Sequence, residues 1–209
     1  MRTTSVFSER TLNPDAQEFL TLLSTHGFPH AAVVGAFVRN VQLEHHLSLS
    51  LPIPKLKAFV RSSAAQYLSH IDALLETFEH LNWVPERENV TGQRHMYLFI
   101  APNTRRYHIT IDIVPDAEEQ SIDRNAIATH YVIKCPIGLN AIAYISNPPR
   151  NICSDIYRSD IGNHTITVLS QDHKDVIKAE RLLAKIPLIV SPPFEVVCTK
   201  IPLKESYLK

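Results

Sequence analysis

Residues 31–40, Ala31-Ala32-Val33-Val34-Gly35-Ala36-Phe37-Val38-Arg39-Asn40, decide the fold. The four-residue apolar run Ala31 to Val34 is too short for a helix and suits a short buried strand, which Gly35 closes. Phe37, Val38, Val41 and Leu43 then recur at helical spacing, so a helix follows the glycine. Upstream, Asn13-Pro14-Asp15 combines a capping side chain, a proline where no N–H is needed, and a carboxylate at the positive helix end. A helix is therefore predicted from there to His26, with Phe19, Leu20, Leu22 and Leu23 on its apolar face and Gly27 ending it. The resulting unit is helix, strand, glycine turn, helix.

Downstream, Pro52 and Pro54 interrupt the chain before Leu56-Lys57-Ala58-Phe59-Val60, whose partial alternation predicts a strand. Ser62 or Ser63 caps a long helix marked by Tyr67, Leu68, Ile71, Leu74, Leu75, Phe78 and Leu81 at spacings of three and four. Arg94 to Ala101 and Arg106 to Val114 read as antiparallel strands joined by the turn Pro102-Asn103-Thr104. Strand alternation puts Tyr107, Ile109, Ile111 and Ile113 on one face, and His108, Thr110, Asp112 and Val114 on the other. Past residue 115, Thr129 to Lys134 and His164 to Leu169 read as strands, and Gln171 to Lys185 as a helix ended by Pro187. Pro192-Pro193 and the run Ile201 to Lys209 read as extended and peripheral.

The 209 residues amount to one compact domain of ~150 residues with an appended segment. Apolar residues at 44% and charged residues at 20% place the chain in the globular class. Lys plus Arg equals Asp plus Glu at 21 each, which excludes a long-range field for nonspecific DNA binding and leaves only a local basic patch open. The sequence shows no apolar run of membrane-spanning length and no signal-peptide pattern, so a cytoplasmic protein without membrane partners is expected. Cys135, Cys153 and Cys198 are isolated and odd in number, fitting neither a disulfide framework nor a zinc site. The histidines are scattered: His45 and His46 point about 100° apart on a helix, which does not suit a shared ion.

The order strand, glycine turn, helix with arginine, strand, long helix, hairpin with aspartate resembles the nucleotidyltransferase superfamily, and within it bacterial relatives of abortive-infection toxins. The likeness covers residues 30–116. Val33-Val34-Gly35-Ala36-Phe37-Val38-Arg39-Asn40 looks like the family's glycine-small turn followed by a helix bearing Arg and usually Asp. Ile109-Thr110-Ile111-Asp112-Ile113-Val114-Pro115 resembles the strand that delivers the family's third carboxylate. The family's other two carboxylates stand one residue apart on a strand; the corresponding positions here are Lys55 and Lys57. Ammonium groups repel Mg²⁺ where carboxylates would hold it, so metal-dependent transfer is expected to be lost.

The resemblance thus implies an α+β fold, a nucleotidyltransferase-like mixed sheet flanked by helices, with a core over 1–120 and a C-terminal α/β extension over 121–209. It implies a nucleotide-binding site at Gly35, Ala36, Arg39, Lys55 and Lys57, with Asp112 in the catalytic position, no metal ligand and no cofactor. Taken as residues alone, Gly35 also reads as an ordinary strand end, Lys55 and Lys57 as a solvated edge, and Asp112 as a solvated or salt-bridged strand aspartate. The expected function is a pseudoenzyme binding a nucleotide or a protein or RNA partner. One alternative is an active enzyme moving a nucleoside monophosphate onto RNA or protein, with Asp112 and Asp116 or Glu118 on Mg²⁺. The other is a protein-interaction scaffold without chemistry.

Overall fold

The structure, a computed structural model, describes residues 6–10, 14–47, 51, 55–115, 123–187, 190 and 192–199. The expected cap at Asn13, the breaks at Pro52 and Pro54, the acids Asp116 and Glu118, and the tail Ile201 to Lys209 lie outside the described residues. In chain order the elements are β1 (Val6–Arg10), α1 (Pro14–Thr25), β2 (Ala32–Val34), α2 (Ala36–Leu47), β3 (Leu56–Ser63), α3 (Ala64–His80), β4 (Val84–Thr91), β5 (Arg94–Ile100), β6 (Arg106–Val114) and α4 (Arg124–Lys134). A 3-10 turn (Gly138–Asn140) leads to β7 (Ile142–Ser146), β8 (Pro149–Ser154), α5 (Asp155–Asn163), β9 (Thr165–Val168), α6 (His173–Leu183) and β10 (Glu195–Cys198).

Eight strands form one mixed sheet in the order β1-β8-β7-β2-β3-β6-β5-β4, and β9 and β10 pair separately. Within the large sheet β3 and β6 run parallel, while every other neighbouring pair is antiparallel. Gly35, with φ +77°, turns the chain out of β2 into α2, a left-handed conformation that glycine adopts without penalty. Ser63 starts α3, its side chain accepting from the Gln66 amide at 3.2 Å. At the β5–β6 turn the Thr104 amide donates to the Ala101 carbonyl at 2.8 Å, and the Arg105 amide to the Asn103 side chain at 3.0 Å.

The isoleucine face of β6 looks toward α3 and α1. Tyr67 of α3 meets Tyr97 of β5 through their hydroxyls at 2.6 Å, Phe78 packs on Phe99 at 4.7 Å, and Phe19 of α1 packs on Tyr107 at 4.9 Å. The buried side chains Ile71 and Leu74 of α3, with Ile109 and Ile111 of β6, belong to the same continuous core. α4 covers the other face, where Tyr131 and His130 lie against Phe59.

Besides β1, α5 and β10, which the sequence did not signal, the structure departs from the expected pattern in the following features. Thr129 to Lys134 is the last part of α4 rather than a strand. Its run of Thr, His, Tyr, Val and Ile favours strand locally, but Asp123 caps the Ala126 amide at 2.6 Å and the helix buries Ile127, Ala128 and Val132. β4 went unseen because this edge strand is exposed along nearly its whole length and carries no alternation. β7 and β8, also unpredicted, stand between β2 and β1, so one sheet draws strands from both the first and the second part of the chain.

Candidate functional site

Sheet register assembles the site. Parallel pairing sets Lys57 beside His108, Phe59 beside Thr110 and Arg61 beside Asp112, and antiparallel pairing sets Arg94 of β5 beside Asp112. Partners in register share a face, so all these side chains project to the side covered by α4. There Phe59 lies nearly parallel to the His130 ring, with centroids 6.3 Å apart, and tilts against Tyr131 at 6.0 Å. A cavity of about 240 Å³ opens between sheet and helix, lined by Lys57, Phe59, Arg94, Thr110 and Asp112 from the strands and by Tyr131, Lys134 and Cys135 from the helix end. A recess of about 430 Å³ continues from it past Arg61 and Gln93, sharing Arg94, Asp112, His130 and Lys134. Among the described residues that line the two spaces, the cations Lys57, Arg61, Arg94 and Lys134 accompany one carboxylate, that of Asp112.

That carboxylate is engaged. Arg94 donates to it from Nε at 2.5 Å and from Nη2 at 2.7 Å, a two-bond fork that also raises the guanidinium pKa. The side chain of Arg94 is 54% exposed and that of Asp112 20%. Lys57 is half-buried. Burial pushes the pKa of its ammonium down, Lys55 and Arg94 push it further, and Asp112 and Cys135 pull back; no hydrogen bond is among these forces. His108, beside Lys57, is driven down to about 4 by burial and then by Lys57 and Lys55, so its ring is neutral at pH 7.

Among the described residues this donor set does not suit the Mg²⁺ that the resemblance implies for an active enzyme. A hard divalent cation needs several oxygen ligands; here an ammonium stands at Lys57, and both oxygens of Asp112 accept from Arg94. Among the described residues no three His, Cys, Asp or Glu side chains converge as metal ligands.

The structure gathers only some of the expected residues. Lys57 and Asp112 line the cavity together. Lys55 is exposed just before β3 and does not line it. Gly35 is buried, and an added Cβ would come 3.4 Å from the Tyr131 hydroxyl; Ala36 is half-buried at the first position of α2. Arg39, 6% exposed, donates from Nε and Nη2 to the Asn40 side chain at 3.0 and 2.8 Å and from Nη1 to the Asn140 side chain, and burial lowers its pKa to about 10. Its fork therefore braces α2 against the 3-10 turn instead of opening into the cavity. Tyr131 joins the two regions, its hydroxyl reaching Gly35 and its ring lining the cavity.

Arg94, Arg61, Tyr131 and Lys134 escaped the sequence reading. For Arg94 a signal existed: in a hairpin centred on Asn103, residues equidistant from the centre face each other, and Arg94 and Asp112 are such a pair. Tyr131 and Lys134 were hidden by the reading of their segment as a strand.

No protein-family model and no curated protein sequence matches the chain. Solved structures do. The Thermotoga maritima CCA-adding enzyme complexed with tRNA aligns at 15% identity with a TM-score of 0.55, over 91% of this chain and 43% of that one. A CCA-adding enzyme complexed with CTP aligns at 16% identity and TM-score 0.53, over 91% and 44%; one with ATP at 16% and 0.52, over 89% and 40%. The chain spans less than half the length of these enzymes and shares the nucleotidyltransferase fold with them.

Proposed function

We propose that this chain, built on the fold of CCA-adding enzymes, is a cytoplasmic nucleotide-binding protein that holds phosphate groups in the cleft of Lys57, Arg61, Arg94 and Lys134 without a divalent ion and without catalysing transfer. One observation carries the reading: Lys57, Arg61, Arg94 and Lys134 line the cavity and its adjoining recess, and Asp112, the one carboxylate lining them among the described residues, is already paired with Arg94. Such a site attracts an anion and repels a metal ion. The neighbours in fold are complexed with CTP, ATP and tRNA, which makes nucleotides the first ligands to try and RNA a macromolecular partner to try next. Narrower kinship with abortive-infection toxins is supported by the sequence resemblance alone.

Calorimetry with ATP and CTP, in Mg²⁺ and in EDTA, tests the reading. Equal affinity in both buffers, falling at least ~10-fold in Lys57→Glu, is expected, since each charge-assisted contact contributes about 1.5–3 kcal/mol. Binding that requires Mg²⁺, or label transfer abolished by Asp112→Asn, overturns it in favour of an active enzyme. Absence of binding in either buffer favours a scaffold.

A further inference from the structure

Asp112 lines both the cavity and the recess, and among the described residues no second carboxylate joins it there. We infer that it is a built-in competitor for Arg94, a carboxylate that occupies the guanidinium until the terminal phosphate of a ligand displaces it. The inference rests on the phosphate-binding reading above and adds to it the class of phosphate that is recognised.

Three observations support it. A guanidinium fork accepts a carboxylate and a phosphate with the same paired geometry, and Arg94 shows that geometry with Asp112 at 2.5 and 2.7 Å. The pair is open to exchange, because the Arg94 side chain is 54% exposed and an anion arriving from solvent can compete for its fork. Arg94 also lines both the cavity and the adjoining recess, so an anion entering either one meets it together with Lys134. On displacement, Asp112 remains within the attraction of Lys57, which it already exerts in the free protein.

Exchange selects by charge. An internal phosphodiester carries one negative charge and gains nothing over the carboxylate it must replace. A terminal phosphate, with a second ionisation near pH 6, approaches two charges at neutral pH and does gain. The ligand class is therefore a molecule ending in a phosphate or polyphosphate, and not the interior of a nucleic-acid strand.

The experiment is calorimetry in EDTA at pH 7.5 with inorganic tripolyphosphate, ATP and the unphosphorylated dinucleotide ApA, on the wild type, Asp112→Asn, Arg94→Gln and the double variant, each first checked for folding by circular dichroism. Asp112→Ser replaces Asp112→Asn if the latter does not fold. Asp112→Asn is expected to bind tripolyphosphate and ATP about two- to fivefold more tightly, with ApA weak throughout and no gain in the double variant relative to Arg94→Gln. Equal affinity for tripolyphosphate and ATP supports recognition of phosphates alone, and tighter ATP supports a nucleotide; both agree with the inference. Unchanged or weaker binding in Asp112→Asn, an equal gain with Arg94 removed, or ApA bound as well as ATP overturns it while leaving the cleft a phosphate site. If neither wild type nor Asp112→Asn binds tripolyphosphate or ATP, the phosphate-site reading fails and the inference fails with it.

Discussion

Replacing Lys57 by Met keeps the length and most of the volume of the side chain and removes its charge. In the free protein the ammonium is half-buried, repelled by Lys55 and Arg94, and drawn toward Cys135 and an Asp112 whose oxygens Arg94 already occupies. Relieving an uncompensated charge of this kind typically stabilises a fold by about 0.5–2 kcal/mol. At this chain length 1 kcal/mol corresponds to ~2–4 °C in Tm, so Lys57→Met should melt a few degrees above the wild type. The same substitution removes a cation from the cleft and should weaken tripolyphosphate binding by at least ~10-fold. Stability and binding thus move in opposite directions, as expected where a residue is retained for a ligand. Thermal denaturation by circular dichroism and calorimetry on one preparation measure both. A Tm that falls, or an affinity that does not change, refutes the reasoning, because Lys57 would then serve the fold.

The His108 ring, held down to about 4, stays neutral in the folded state while the unfolded chain takes up a proton near pH 6.5. Its contribution to stability is complete above pH 6.5 and is lost as the pH falls toward 4. His108→Gln should therefore show a shallower loss over that window in urea unfolding, and parallel curves for the two proteins would contradict the assignment. Gly35→Ala forces a Cβ into a backbone at φ +77° and against the Tyr131 hydroxyl, and should cost about 1–2 kcal/mol by urea midpoint; a neutral result would mean that the turn relaxes freely. Asp160, 0% exposed, accepts from the Thr165 hydroxyl at 2.8 Å, the Thr167 amide at 3.0 Å and the Thr167 hydroxyl at 2.6 Å. Asp160→Ala strands these donors and should destabilise by about 3 kcal/mol, and a loss below about 1 kcal/mol would show that water replaces the carboxylate.

What the sequence disclosed follows the range of each signal. The helix at Pro14, the glycine turn, the Ser63 cap and the hairpin around Asn103 are local features, set by residues within a few positions, and each stands in the structure. Periodicity also placed Asp112 opposite the isoleucine face. What it missed is decided at a distance. α4 is a helix because its apolar stripe meets a sheet face made by strands far away in sequence, which outweighs the strand preference of Thr129, Tyr131, Val132 and Ile133. The burial of Arg39 is likewise fixed by Asn140, which lies in a different element, and no spacing near Arg39 announces that partner. The place of Lys57 on a strand was legible, but the arginine that pairs with Asp112 emerges only when the hairpin register is worked out residue by residue.

The parallel seam between β3 and β6 has a consequence for how the molecule comes into being. Leu56 faces Tyr107 and Ser63 faces Val114, so every contact across the seam joins positions about fifty residues apart and waits for a long loop to close. During synthesis a nascent chain ending before β6 has neither the wall that bears Asp112 nor the helix that roofs it. An anion bound in the cleft as proposed would therefore act only on finished molecules, shifting the balance toward the completed fold by mass action without guiding any earlier intermediate.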